Sequence, residues 1–340
     1  MKVLITGGVG FLGSHVAEHF RRQGDSVVVV DNMATHELAR TLFDTKASRQ
    51  HSLDFIKSIG CKFIKDDITV PINKLYMKDV DYIVHCAAQP AMTIATERPR
   101  LDIKTNVLGT FNLLETARQH DIPLVNCSSV HVYGNDINKN LVEQETRFTN
   151  TPETFDEDYP ILNGDVTPLH ASKRAAELYV QAYVETYGLK AATFRLTGMY
   201  GPRQFGGMDH GWVANFAIRT IIGRPISLFG TGKQVRDILY ASDAARAFDL
   251  WYAKGKSETY NIGGGLDNAI SLQECIKLIE EITDVDADVS LKDPRFGDLY
   301  YFVCDSSKAK RDFKWKPEVS NYEGIRHLTG WIKANRELFG

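Results

Sequence analysis

An apolar run, KVLIT (2–6), passes directly into TGGVGFLGSH, which sets glycines at 7, 10 and 13. Glycines at that spacing let the chain turn sharply after a strand, bring backbone close to a ligand and seat a helix tightly on the strand. The helix that follows, read over 11–22, turns its free N–H groups and positive dipole end towards that loop. SVVVVD (26–31) then reads as a second strand ending in a carboxylate, Asp31. A strand–helix–strand unit of this kind commits the chain to a parallel sheet.

The same stretch selects a ligand. A pyrophosphate fits the glycine turn, and Asp31 can accept from both ribose hydroxyls while repelling a 2′-phosphate, so NAD is favoured over NADP. The blander alternative is an ordinary glycine turn, against which the strand–helix context weighs. The contacts expected are Gly7, Gly10, Phe11, Leu12, Gly13, Asp31 and Asn32.

Further apolar runs at 61–65, 81–87, 124–129 and 191–196 read as strands, with helical stretches at 103–119 and 168–187 between them. Near-continuous apolar strands alternating with helices give an α/β, Rossmann-type, doubly wound parallel sheet with its ligand at the strands' carboxyl ends. After about residue 200 short strands (PISLF, TYNIGG, DVSL) alternate with helices near 211–222, 241–254, 271–283 and 321–337. We expect a nucleotide-binding domain over 1–200 and a smaller α/β lid over 201–340, interleaved with the first. The polar, acidic segment 135–166 is long for a connection, and such loops are often functional.

Composition narrows the partners. The net charge is −3 and no long basic run occurs, which argues against nucleic acid. No apolar run is long enough to span a bilayer and the start lacks a signal-peptide pattern, so a cytoplasmic protein without membrane contact is expected. The five cysteines (Cys61, Cys86, Cys127, Cys275, Cys304) show no metal-binding spacing. Neither a metal nor a disulfide framework is expected, and only Cys127 falls near the expected site.

Motifs along almost the whole chain resemble the extended short-chain dehydrogenase/reductase family, the nucleotide-sugar epimerases and dehydratases. They are the glycine loop, Asp67–Ile68, HCAAQ (85–89), NVLGT (106–110), SSVHVYG (128–134), RLTGMYGPR (195–203), QVRDILYASDAA (234–245) and RFGD (295–298). The resemblance implies that Asp67, Ile68, Ala87, Ala88, Gln89, Asn106 and Lys173 join the NAD contacts. It also implies a nucleotide-diphosphate sugar as substrate, with Arg203, His210, Trp212, Arg236, Arg295 and Asp298 on its side of the cavity. Within the family, AAQPAMT, GMYGPRQFGGMDHGWVANF and YNIGGG resemble most the CDP-paratose (CDP-tyvelose) 2-epimerases, which favours CDP. The helix pair 103–119 and 168–187 resembles the family's dimer interface and implies a homodimer.

Independently of the family, guanidinium forks match phosphate oxygens in two-point geometry and keep their charge, which suits Arg236 and Arg295 to a diphosphate. A surface salt bridge remains the alternative for each arginine taken alone. Likewise, FGGMDHGWV (205–213) reads as substrate loop or as a glycine-bent loop anchored by Trp212.

One position breaks the pattern. In PLHASK (168–173) the family's catalytic tyrosine, four residues before the lysine, is Leu169. The resemblance assigns Lys173 and Ser129 to the lysine and the Ser/Thr that assist the tyrosinate. A proton carrier must then come from elsewhere. His131 is the first candidate: two residues beyond Ser129 at a strand end, it can share Ser129's face and titrates near neutral pH. A purely structural hydrogen-bonding role is its alternative. His170, one residue from Leu169, is rotated by about 100° around the helix and points elsewhere. Tyr133 and Cys127 are weaker candidates, and Asp209 and His210 could reach the substrate from the lid.

The sequence therefore leads to an NAD-dependent nucleotide-sugar epimerase, most like a CDP-sugar 2-epimerase, with altered proton chemistry. Three rivals stay open: a dehydratase or lyase using His131, an oxidoreductase that releases its oxidised product, and a non-catalytic binding protein.

Overall fold

The structure, a computed structural model, describes residues 1–38, 40–41, 43–71 and 77–340. Seven parallel strands form its main sheet, in the order Thr259–Ile262, Ala191–Leu196, Leu124–Ser129, Tyr82–His85, Lys2–Thr6, Ser26–Asp31, Lys62–Lys65. The order reverses between Lys2–Thr6 and its neighbours, and that switch point opens a crevice at the carboxyl ends.

Strand periodicity divides the core. Val3, Ile5, Val27 and Val29 point to one face, where they pack with Val16, Ala17 and Phe20 of the helix Phe11–Arg22 and Phe248 of Ala241–Lys254. Leu4, Val28, Val30 and Ile83 point to the other, against Leu113 and Leu114 of Gly109–His120 and Val180 and Tyr183 of Pro168–Tyr187. Strands buried on both faces need apolar residues at every position, which is why these runs read as continuous rather than alternating.

Several expected elements shift. TYNIGG was expected in the lid, but Thr259–Ile262 joins the main sheet beside Ala191–Leu196. There it covers an open edge and drives Tyr260 and Ile262 into the core. The stretch read as one helix over 103–119 is a helix at Pro99–Ile103, a π-turn at Lys104–Leu108 and a second helix at Gly109–His120. The helix Thr45–Ser58, which the sequence reading did not single out, is capped by Asp44, whose carboxylate accepts from the Lys46 and Ala47 N–H groups.

The remaining chain builds a cap over the crevice. The helices Trp212–Ile222, Leu272–Thr283 and Asn321–Ala334 share one apolar cluster with Ile226 and Leu228 of the strand Ile226–Phe229, which pairs in parallel with Val289–Lys292. Val235–Asp237 lies between Ala269–Ser271 and Tyr301–Phe302. The segment 135–166 packs against this cap through Ile137 and Phe155, which cluster with Leu299 and Phe302. Among the described residues, no helix is long and apolar enough to cross a membrane.

Candidate active site

A cavity of about 620 Å³ lies in the crevice, floored by the carboxyl ends of the sheet strands and roofed by the cap. At one end sits the glycine turn. Gly7 has φ +67°, and a Cβ there would lie 2.6 Å from the Ala87 backbone; a Cβ on Gly13 would lie 2.3 Å from the Gly7 carbonyl oxygen. Larger residues cannot occupy either position, so the loop stays thin enough for a pyrophosphate to meet backbone N–H groups. Asp31 braces the loop: its carboxylate accepts from the Val9 N–H at 3.0 Å and the Met33 N–H at 2.8 Å. Gly10, Phe11, Leu12, Asn32, Asp67 and Ile68 complete this wall, with Asn32 donating to Asp67 at 3.1 Å.

Ala87, Ala88 and Gln89 line the floor. Asn106 does not. Its side chain grips Gln89 from behind, accepting from the Gln89 N–H at 2.9 Å and donating to the Gln89 carbonyl at 3.0 Å. The π-turn that carries Asn106 is the kind of local distortion that re-aims a side chain at a functional loop. Asn106 therefore shapes the cavity without facing it.

Ser129, His131, Leu169 and Lys173 meet in the middle. Lys173 reaches through the helix–sheet layer to donate from Nζ to the Cys127 carbonyl at 2.9 Å. Burial lowers its pKa, against the pull of neighbouring groups led by Cys127 and Asp102. His131 is not on the strand, as the sequence reading has it. It lies in the 3₁₀ turn Val130–Tyr133, whose first bond runs from the His131 N–H to Ser129 Oγ at 3.3 Å. The turn still delivers its ring to the cavity, where burial, then Arg236 and His170, push its pKa down to about 3. Leu169 is 3 % exposed and closes the wall with hydrocarbon. His170 stays off the cavity. Its Nδ1 accepts from the Thr167 N–H at 3.2 Å at the start of the helix.

The cap supplies the far end with Met208, Asp209, His210, Trp212, Arg236, Arg295 and Asp298. Arg236 donates to Asp298 at 3.1 Å, and Arg295 lies 3.9 Å over the Phe229 ring while donating to the Met208 carbonyl at 2.5 Å. Burial lowers the pKa of both guanidiniums, as expected for cations held out of water. Gly297, at φ +70°, makes the bend expected after Arg295.

Arg203 was expected on the substrate side and is not there. It has φ +63° and turns back beneath the first helix. Its guanidinium bonds Ser14 Oγ at 3.1 Å and Glu18 at 2.6 Å and stacks 3.9 Å over Phe55. The Tyr-Gly-Pro bend carries the arginine away from the cavity, which residue type alone does not disclose. Arg49 was missed for the opposite reason. An arginine inside a helix reads as a surface residue, yet this one lines the cavity and donates to the Ala34 carbonyl at 2.7 Å. Phe229, Gln234 and Asn215 are also on the wall, carried there by cap elements whose inner face the sequence leaves undetermined.

A glycine turn with a braced carboxylate at one end, a buried lysine at the centre and paired arginines on a cap is now in place. Residues 3–263 match the NAD dependent epimerase/dehydratase family. The chain belongs to that family. Its cofactor is accordingly NAD, and the glycine turn and Asp31 fit it. The family member CDP-paratose 2-epimerase of Salmonella typhi is 34 % identical, the match covering 98 % of this chain and 100 % of that one. UDP-glucose 4-epimerase of Thermotoga maritima, solved with UDP-glucose, superposes with a TM-score of 0.82 at 29 % identity, over 99 % of this chain and 100 % of that one. The Thermus thermophilus UDP-glucose 4-epimerase complex with NAD gives 0.80 at 30 %, over 98 % and 100 %. In this epimerase/dehydratase the cavity spans both the glycine turn and the cap arginines, while Leu169 faces its centre.

Proposed function

We propose that the protein is an epimerase of a CDP-linked sugar, acting at C2 by transient oxidation to a keto sugar. The observation that carries the reading is one continuous cavity with the NAD turn at one end and Arg236 and Arg295 at the other. The 34 % identity to a CDP-paratose 2-epimerase supports the base and the carbon; both are proposals for this chain.

NAD, when bound, would supply a reversible hydride acceptor. Gly7, Gly10 and Gly13 leave room for its pyrophosphate, Asp31 takes the adenosine ribose, and Lys173 holds the second ribose. Arg236 and Arg295 grip the sugar's diphosphate by charge-assisted bonds. Ser129 hydrogen-bonds the sugar hydroxyl that is oxidised. His131 carries the proton. In the free protein its pKa is about 3, held there by burial and by Arg236. An anionic diphosphate on Arg236 offsets the second cause, so substrate binding itself raises the basicity of the imidazole. Leu169 keeps water from the reacting carbon and cannot replace the missing phenol.

Two copies of the chain are proposed to pair through the helices Gly109–His120 and Pro168–Tyr187, where Phe111 and Tyr179 are exposed yet packed edge to face at 5.9 Å. Leu169 also supports a second reading, a protein that binds NAD and a nucleotide sugar without turnover. Incubation with CDP-, UDP-, GDP- and dTDP-sugars separates the possibilities. Epimerisation gives an isomer of unchanged mass from the CDP sugar, dehydration removes water, and net oxidation releases NADH absorbance. No change with any sugar, in protein that binds them, defeats the enzyme reading.

A further inference from the structure

Cys86 and Cys127 sit side by side on the wall of the cavity. The ladder between Tyr82–His85 and Leu124–Ser129 ends with the pair His85 and Asn126, and the next position sets the two cysteines opposite each other. Their sulfurs are 3.8 Å apart, within reach of an S–H···S contact. Parallel neighbours lie about 4.8 Å apart, inside the Cα window that a disulfide requires. Both residues line the cavity, Cys86 being the more exposed. The Cys127 carbonyl is the acceptor for Lys173 Nζ, and Ser129 lies two residues along the same strand. The other three cysteines, Cys61, Cys275 and Cys304, are buried away from the cavity.

We propose that Cys86 and Cys127 form an oxidisable dithiol: a hydroperoxide entering the cavity joins them in a disulfide that disables NAD binding until it is reduced. The thiolate of Cys127 attacks the peroxide, forming a sulfur–oxygen bond, breaking the oxygen–oxygen bond and releasing hydroxide. The Cys86 sulfur then attacks the resulting sulfenic acid. The sulfur–sulfur bond forms, the sulfur–oxygen bond breaks, and the departing hydroxide takes the Cys86 proton as water. The first hydroxide takes up the proton that Cys127 lost on ionising, so two thiols lose two electrons and hydrogen peroxide becomes two waters. The contact with Cys127, then burial, raises the Cys86 thiol well above its usual range, which suits it to be the protonated partner in the second step.

The disulfide acts through position. Closing the sulfurs from 3.8 Å to about 2 Å turns both side chains out of their present rotamers and shifts the strand ends that carry them. That displaces the carbonyl that anchors Lys173, at the point where the cofactor's second ribose is placed. A disulfide on this wall is open to a thiol reductant through the half-exposed Cys86, and exposed disulfides are readily reduced. The inference rests on the NAD cavity and is independent of which sugar the protein turns over.

The full chain is treated with hydrogen peroxide, with and without added NAD, then read by intact mass, by peptide mapping and by NAD binding. The expected result is loss of two hydrogens and a Cys86–Cys127 cross-linked peptide. NAD binding should weaken by about tenfold, the scale of one lost charge-assisted bond, and recover with dithiothreitol. Prior addition of NAD, which covers this wall, should slow the cross-link. The variant Cys86→Ser, compared with its own untreated sample, should form no cross-link and lose no NAD affinity to a brief peroxide dose. Equal loss of affinity in Cys86→Ser would overturn the proposal. So would oxygen addition without a cross-link, or a cross-link that leaves NAD binding unchanged.

Discussion

The imidazole of His131 lies parallel to that of His170, with ring centroids 5.8 Å apart and planes inclined by 16°. Only His131 opens to the cavity; His170 is fixed from behind by the Thr167 N–H on its Nδ1, which leaves its neutral ring protonated at Nε2. The two histidines therefore have separable roles. If His131 carries the proton, His131→Ala should lower kcat by about 10²–10⁴-fold on a verified nucleotide sugar. His170→Ala removes a helix-start contact and should cost about 1 kcal/mol of stability while leaving most turnover. Leu169→Tyr should be unnecessary for activity. Full activity in His131→Ala, or activity found only in Leu169→Tyr, would remove His131 from the reaction.

Free-enzyme pH profiles give a second check. Since burial and Arg236 hold His131 near 3, kcat/KM should show no imidazole limb between about pH 5 and 8. The profile of kcat reports the bound state, in which the diphosphate offsets Arg236, so its acid limb should lie higher. Coincident limbs in the two profiles would show that substrate binding leaves the imidazole unaltered.

Cofactor choice is tested at Asp31. The carboxylate braces the loop through Val9 and Met33, and if it also meets the ribose, as proposed, Asp31→Ser should weaken NAD by about 1.5–3 kcal/mol, roughly ten- to a hundredfold. Removal of the negative charge should also narrow the gap to NADP. Titration of both cofactors into wild type and variant measures this, and equal wild-type affinities would refute the discrimination.

Arg236→Ala and Arg295→Ala should each weaken nucleotide-sugar binding by roughly ten- to a hundredfold and leave NAD binding nearly intact. The two differ in what they leave behind. Loss of Arg236 takes from the half-buried Asp298 its ion-pair partner, so that variant should also melt at lower temperature. Calorimetry with CDP and with NAD distinguishes these effects, and unchanged CDP affinity in both variants would move the diphosphate elsewhere.

Acid stability follows from His131 together with His85, whose buried ring is held between the hydroxyls of Thr6 and Thr110. His131 and His85 are both lowered to about 3, chiefly by burial, whereas in the unfolded chain they titrate near 6.5. Between those values the unfolded state binds the extra protons, so stability is present above about pH 6.5 and declines as pH falls towards 3. Each group adds a slope of up to about 1.4 kcal/mol per pH unit in that window. Denaturant melts of wild type and His131→Gln across this range should show a shallower decline in the variant; identical slopes would mean that His131 titrates normally in the folded protein.

The sequence alone determined the parts whose cause is local. Glycines at 7, 10 and 13, a carboxylate at 31 and uninterrupted apolar strands follow from turn sterics, phosphate geometry and two-sided burial. The strands Leu124–Ser129 and Ala191–Leu196 and the helices Phe11–Arg22 and Pro168–Tyr187 lie where these rules put them. Leu169 was equally plain, because its place is fixed by helical spacing from Lys173. Tertiary structure decided whatever depends on contacts distant in sequence. Arg203 and Arg236 look alike in sequence, yet one is turned back beneath the first helix and the other faces the cavity, since a backbone bend and a partner carboxylate settle which way each points. Thr259–Ile262 joined the sheet because an open edge was there to receive it. Cys86 and Cys127 became a pair only when strand register set them opposite each other, for register belongs to two strands together and is written in neither alone.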